Sequence, residues 1–177
     1  LTEDIEAEEF DLASPEKKLT NLNAKFKKNY QLQKLIDFLQ AKEPKEIIPI
    51  RILEIGEINS AFEWTSTNIK KTLTKDFTSQ EADIEKLQAL IGSNKIQKDQ
   101  RPAWENIGIA FGTILENEID GMIWVTVIDG KKEYPALQFG TLLIEPTLLV
   151  WNLIKSNQPC NLKKEFEQIK EEVEKRL

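Results

Sequence analysis

The fold is decided by residues 104–157, which read WENIGIAFGTILENEIDGMIWVTVIDGKKEYPALQFGTLLIEPTLLVWNLIKSN. An apolar helical pattern leads into Met122–Ile128, which is apolar on both faces apart from Thr126. Such a run is typical of a central strand that is covered on both sides. Asp129-Gly130 then predicts a hairpin, because both residues tolerate the positive φ of a tight turn.

The second half of this stretch predicts a return strand and a helix. The strand is expected from about Ala136 to Ile144, with Pro135 at its start or at a bulge, since proline cannot donate to a ladder. Pro146 is a helix-opening residue, and residues 148–154 are apolar nearly all round. We therefore expect this helix to be buried.

Gly108 and Gly112 lie four residues apart and so share one face of the preceding helix. A glycine inside a helix costs roughly 0.5 to 1 kcal/mol relative to alanine. The pattern predicts that a strand or helix backbone approaches closely here. A membrane dimerisation motif has the same spacing but needs an apolar segment of about 20 residues, which the charged flanks exclude.

Residues 1–78 are predicted to form an acidic, mobile tail and a helical region. The first sixteen residues carry seven acidic groups and no basic ones, so residues 1–14 are interpreted as the tail. Residues 15–40 show a helical apolar stripe, whose unpartnered face suggests packing or self-association. Residues 47–55 are interpreted as an edge strand with outward charges, and a helix is expected from about Ser66 to Lys75.

Residues 79–177 are predicted to form a C-terminal α+β domain. Helices are expected from Ser79 to Gly92, from Pro102 through Leu115, and after Asn161, which can cap the last helix. The fold class is therefore α+β, with a small antiparallel sheet covered by helices and an N-terminal helical extension.

Composition excludes several classes of function. The net charge of −6 disfavours nucleic acid as a partner. Histidine is absent, which removes Ser-His-Asp triads and imidazole metal sites, and Cys160 has no second cysteine to pair with. No apolar run is long enough to span a bilayer, so we expect a cytoplasmic protein, although a removed leader or anchor stays open.

Few side chains suggest chemistry. Four acidic residues, Glu116, Glu118, Asp120 and Asp129, cluster in sequence, but the last should lie at the far end of a strand from the others. They are interpreted as solvated. Glu145 precedes Pro146 at a strand-to-helix junction, where we expect its carboxylate to cap the helix; as an alternative, it is the carboxylate most suited to bind a ligand.

Aromatic residues supply the other candidate site. The four tryptophans are interpreted as core residues with satisfied indole N–H groups. Trp64 is the exception, because it lies near Phe62 in a segment of ambiguous structure. If exposed, Phe62 and Trp64 would form an anchor for a partner protein.

The C-terminal half, about Leu87 to Val173, resembles a small bacterial family, the domain of unknown function DUF3806. The resemblance rests on Leu87–Leu90, Ile107–Gly112, Ile123–Val125 and the Pro146 junction leading into Trp151–Ile154. It implies a compact bacterial α+β domain and carries over no activity, cofactor or catalytic residue.

We interpret the chain as a non-enzymatic module that binds another, basic protein, as an immunity or accessory factor does, with no cofactor or metal. Its acidic surface would steer a basic partner by electrostatic attraction. The alternative is a small-molecule binder or carboxylate-based enzyme with a pocket between sheet and helices, in which Glu145 is the polar group.

Overall fold

A computed structural model of the chain describes residues 44–177. It has strands and helices in an α+β arrangement, which confirms the predicted fold class. The elements are β1 (Glu46–Pro49), α1 (Ile52–Leu73), a 3-10 turn (Glu81–Asp83), α2 (Ile84–Gly92), α3 (Arg101–Glu118), β2 (Ile123–Asp129), β3 (Lys132–Phe139), β4 (Leu142–Ile144), α4 (Pro146–Lys155) and α5 (Leu162–Glu174). The acidic tail and the helix predicted over residues 15–40 lie outside the described residues.

The sheet is antiparallel, with the strand order β1-β2-β3-β4. As predicted, β2 is central, and Val125, Thr126 and Val127 are buried in it. The Asp129-Gly130 hairpin is also confirmed: Asp129 pairs with Lys132, and Gly130 has a φ of 62°. The alternation along β2 therefore divides the sheet into a face that packs on the helices and a second, smaller apolar face.

The predicted return strand is wrong in its limits. β3 begins at Lys132, earlier than expected, and the chain turns at Gly140 (φ 55°) before β4. Pro135 lies inside β3, opposite Thr126 and not at the strand's start. It is tolerated there because β4 pairs only with residues 137–139, so the missing N–H lies where β3 has no partner on that side.

The strand predicted over residues 47–55 is also wrong beyond Pro49. β1 is an edge strand as expected, but the chain enters α1 at Ile52 and stays helical for 22 residues. The helix predicted from Ser66 to Lys75 is thus only the last part of α1. β-Branched residues and a glycine give this segment a weak helix propensity, which packing against α3 overrides.

The described residues form one compact unit, Pro44–Leu177. β1 and α1 both belong to it, since β1 pairs with β2 and α1 packs on α3. The predicted domain boundary between residues 78 and 79 falls inside this unit, just before the 3-10 turn.

Gly108 and Gly112 allow α3 to meet α4 closely, as the sequence predicts. A Cβ atom at Gly108 would lie 2.1 Å from the carbonyl oxygen of Pro146. One at Gly112 would lie 2.6 Å from the ring of Trp124 and 2.9 Å from the ring of Pro146. Both prolines predicted to open helices, Pro102 and Pro146, do so. The helix α4 is half-buried over most of its length, contrary to expectation, because α3 covers only one side of it.

We predict that Gly108→Ala lowers the free energy of unfolding by about 3 kcal/mol, because the added methyl group overlaps backbone that cannot move without displacing α4. Chemical denaturation of both proteins measures the difference. Gly92→Ala is the control, since no described atom lies within 4 Å of its added Cβ, and it should change stability by less than about 0.5 kcal/mol. Equal stability of Gly108→Ala and the parent would contradict the close approach.

Candidate functional site

A groove of about 650 Å³ opens between the first half of α1 and the first half of α3. Glu133 of β3 and Thr147 of α4 also line it. Its lining residues are Leu53, Glu54, Gly56, Glu57, Ser60, Pro102, Glu105, Asn106, Ile109, Glu133 and Thr147. Four of them are carboxylates, and none of the eleven is basic.

A charge network centred on the buried Glu54 lies in the groove. Glu54 is 2% exposed and heads the buried stripe of α1, which continues through Ala61, Thr65 and Ile69. The Arg51 guanidinium donates to both carboxylate oxygens of Glu54, at 2.6 and 3.0 Å. A buried carboxylate is stable only when it is paired in this way.

The same network ties α1 to the sheet. The Thr126 hydroxyl on β2 donates to Glu54 at 3.0 Å and accepts from the Arg51 backbone N–H at 3.2 Å. Arg51 also donates to Glu133 on β3 at 2.7 Å. Two strands and the first turn of α1 are thus held together by charge-assisted hydrogen bonds.

The network sets the protonation of Glu54. The hydrogen bonds from Arg51 outweigh the effect of burial and hold the pKa of Glu54 below its ordinary value, and the bond from Thr126 adds to this. Glu54 therefore stays ionised at neutral pH and is fully engaged within the chain.

Glu57, one turn along the groove, is in the opposite situation. The residue is exposed, yet partial desolvation of its carboxyl raises the pKa, and the neighbouring charges of Glu54 and Glu105 raise it further. Among residues 44–177 no basic side chain forms an ion pair with Glu57, whereas Glu105 pairs with Arg101 at 2.6 Å. Glu57 is therefore the carboxylate that gains most from a cation entering the groove.

Thr147 adds an unsatisfied polar atom. Its hydroxyl oxygen is shielded from solvent and has no hydrogen-bond partner within the part of the chain that the structure describes. A buried hydroxyl without a partner is unfavourable, and because this oxygen is closed to solvent, a ligand in the groove would reach it only after a local rearrangement.

Glu145 lies away from the groove, and the expectation that its carboxylate caps α4 is wrong. It is the N-cap residue of α4, but its side chain makes no capping hydrogen bond. Instead the carboxylate accepts from the Lys45 ammonium group and from the Tyr134 hydroxyl, the latter at 2.8 Å. Burial, followed by the bond to Glu145, raises the pKa of Tyr134, which stays a neutral donor. A ligand-binding role for Glu145 stays a prediction.

Phe62 and Trp64 lie further along α1 and are both half-buried against the main core. The Phe62 ring lies 5.4 Å from that of Phe77. Of the other tryptophans, Trp104 and Trp124 are buried with satisfied N–H groups, donating to the Gln97 carbonyl and to Glu116. An anchor made of Phe62 and Trp64 stays a prediction that partner binding must test.

The remaining candidates from the sequence are structural. Glu116 accepts from Trp124, and Glu118 accepts from the backbone N–H of Glu81.

Burial raises the pKa of the half-buried Cys160 thiol to about 11, so it is not an activated nucleophile. Over residues 44–177 no group of three or more acidic or cysteine side chains is placed to hold a metal ion. No helix in that range is long and apolar enough to cross a membrane.

Sequence reasoning missed the groove because it placed Arg51 and Glu54 on an outward-facing strand. One signal could have found it: positions 58, 61, 65 and 69, which are apolar apart from Thr65, extrapolate back to residue 54 at helical spacing. A charged residue at the head of a buried stripe indicates a buried ion pair.

We predict that Glu54→Gln lowers the free energy of unfolding by about 2 kcal/mol at neutral pH, because Arg51 loses its buried counter-charge. Since the folded-state pKa of Glu54 is lowered, its contribution is present above about pH 4.5 and is lost as the pH falls through the folded value. The difference in the free energy of unfolding between the parent and the variant should therefore shrink towards zero in acid. Urea unfolding at a series of pH values measures this difference. A gap that is constant down to the lowest pH would contradict the assignment.

The comparisons with known proteins bear on the fold. No curated protein matches the chain significantly. A crystal structure of a protein from Bacteroides thetaiotaomicron VPI-5482 is similar, with 40% sequence identity and a TM-score of 0.70. The match covers 73% of this chain and 48% of that chain. The resemblance of the C-terminal half is confirmed: residues 83–166 match the family Domain of unknown function (DUF3806).

Proposed function

We propose that this chain is a non-enzymatic protein-binding module whose acidic groove receives a basic group of a partner protein, as an immunity or accessory factor does. The observation that carries the proposal is the excess of carboxylates over cations in the groove. Glu54, Glu57, Glu105 and Glu133 line it, and only the guanidinium groups of Arg51 and Arg101 balance them within the described residues.

The groove's charges differ in what they can offer a partner. Arg51 engages Glu54 and Glu133, and Arg101 engages Glu105. Glu57 has no such partner between residues 44 and 177, and its pKa is raised first by desolvation and then by repulsion from Glu54 and Glu105. A lysine or arginine side chain placed here would remove that repulsion and gain a charge-assisted hydrogen bond.

The net charge of the whole chain supports the same partner. At −6 it attracts a basic protein at long range and raises the rate of encounter, in a manner that salt screens. The groove then supplies a specific place for the basic group to bind.

A second candidate is a small cationic ligand, favoured by the size of the groove. A volume of about 650 Å³ lies within the range of small-molecule sites. This differs from the pocket between sheet and helices considered from the sequence, because the groove lies between α1 and α3 and its key carboxylate is Glu57 and not Glu145.

The test is a pull-down with the tagged chain from a lysate of the organism that encodes it, at low salt and at about 1 M salt, where the screening length falls to about 3 Å. We expect a basic protein to be retained at low salt and lost at high salt. Glu57→Gln/Glu105→Gln should abolish its retention, because it removes groove charges without touching the Arg51–Glu54 pair.

The matched control is Glu85→Gln/Glu171→Gln, which removes the same charge from exposed positions outside the groove. It should retain the partner. Equal retention by the groove variant and the control would contradict the proposal. The small ligand would be supported instead if the pull-down retained no protein and, in a thermal-shift screen, an amine raised the melting temperature of the parent but not of the groove variant.

A further inference from the structure

The first turn of α1 exposes large apolar side chains beside the groove. Ile52 is 86% exposed, Leu53 is 71% exposed and Ile55 is 42% exposed. Single exposed apolar residues are normal on a protein surface, but Ile52 and Leu53 lie four and three positions before Gly56 and so form one patch beside it, whereas Ile55 lies on another side of the helix. Leu53 also lines the groove, so the patch and the acidic lining are continuous.

Gly56 opens a space in the middle of this surface. It lies inside α1, on the same face as Ile52 and Ser60, and no described atom lies within 4 Å of a Cβ built on it. Gly108 and Gly112 are also helical, but there a Cβ would collide with α4 or Trp124. Gly56 therefore weakens its helix without a packing reason inside the described residues, which favours close approach of something from outside.

We infer that the patch and the groove together bind a short amphipathic, basic segment of a partner protein. Its apolar side chains would cover Ile52 and Leu53, its backbone would pass over Gly56, and a lysine or arginine would reach Glu57 and Glu105. The inference rests on the proposed function and adds to it that the partner's binding segment carries apolar side chains beside its basic ones. Burial of both a patch and a charge is what gives amphipathic segments their specificity.

Charge argues against the other occupants of an apolar patch. An anionic lipid surface would be repelled by the carboxylates that border Leu53. A second copy of the chain would bring the same acidic groove to the contact, since identical surfaces meet in a two-fold dimer. A basic amphipathic segment satisfies both the apolar and the charged neighbours.

The test uses a synthetic helical peptide of about 14 residues, with leucine at i, i+3, i+4 and i+7 and lysine along one flank. Two matched peptides replace the leucines by serine or the lysines by glutamate. We expect the first peptide alone to bind, as followed by calorimetric titration. Leu53→Ser and Gly56→Gln should each raise its Kd by about tenfold or more.

Gly92→Gln is the matched control for Gly56→Gln, because its Cβ position is equally open and it lies on α2, outside the groove. It should leave the Kd unchanged. Gly56→Gln should also raise the melting temperature, since glutamine is the better helix former, so that weaker binding cannot be ascribed to unfolding.

Several results would overturn the inference. The serine peptide could bind as tightly as the leucine peptide and lose its binding in Glu57→Gln/Glu105→Gln. That result would support the acidic groove but refute the apolar contact. Binding that is insensitive to salt and to the groove variant would refute the proposed function instead. The amphipathic partner would be refuted if the first peptide did not bind. It would also be refuted if the chain bound phosphatidylcholine vesicles, or if light scattering showed a dimer that Leu53→Ser converts to a monomer.

Discussion

The ion pair between Arg51 and Glu54 is the interaction on which the site depends. A carboxylate that is 2% exposed must be paired, and its partners are fixed: the guanidinium of Arg51 in the preceding turn and the hydroxyl of Thr126 on β2. This fixes the rotation of α1 about its axis. With Glu54 turned inward, residues 52 and 56 must face out, because at about 100° per residue they lie about 160° around the helix from it. The exposed face at residues 52 and 56 therefore follows from one buried charge, and residues 53 and 57 lie between that face and Glu54, where they line the groove.

A second constraint positions the other wall. Gly108 lets α3 lie against the first residue of α4, where even a methyl group would overlap the Pro146 carbonyl. That contact sets the position of Thr147, which follows Pro146 and lines the groove. The α1 wall of the groove is thus fixed by the buried charge of Glu54, and the α3 wall by the lack of a side chain at Gly108.

The sequence predicted those features whose cause is local. The Asp129-Gly130 turn, the helix starts at Pro102 and Pro146, and the Asn161 cap, which accepts from the Lys164 backbone N–H at 3.1 Å, each depend on one or two neighbouring residues. The spacing of Gly108 and Gly112 predicted a close approach, though not the element that makes it.

Features whose cause is distant in sequence were not predictable in this way. Thr126, which completes the pairing of Glu54, is 72 residues away, and Glu133 is 82 residues from Arg51. Without them residues 47–55 look like an extended strand with outward charges, so the start of α1 and the burial of Glu54 were both missed. Glu145 illustrates the same limit. Its position at the start of α4 suggested a cap, but its partners are Lys45, just before β1, and Tyr134, in β3.

The most direct test of this account is a map of amide chemical-shift changes in the isotope-labelled chain, titrated with the leucine–lysine peptide. The account predicts that the changes concentrate on residues 52–60 of α1 and residues 102–109 of α3, the two walls of the groove. Changes centred on α5, or on the second face of the sheet around Val125 and Ala136, would contradict it.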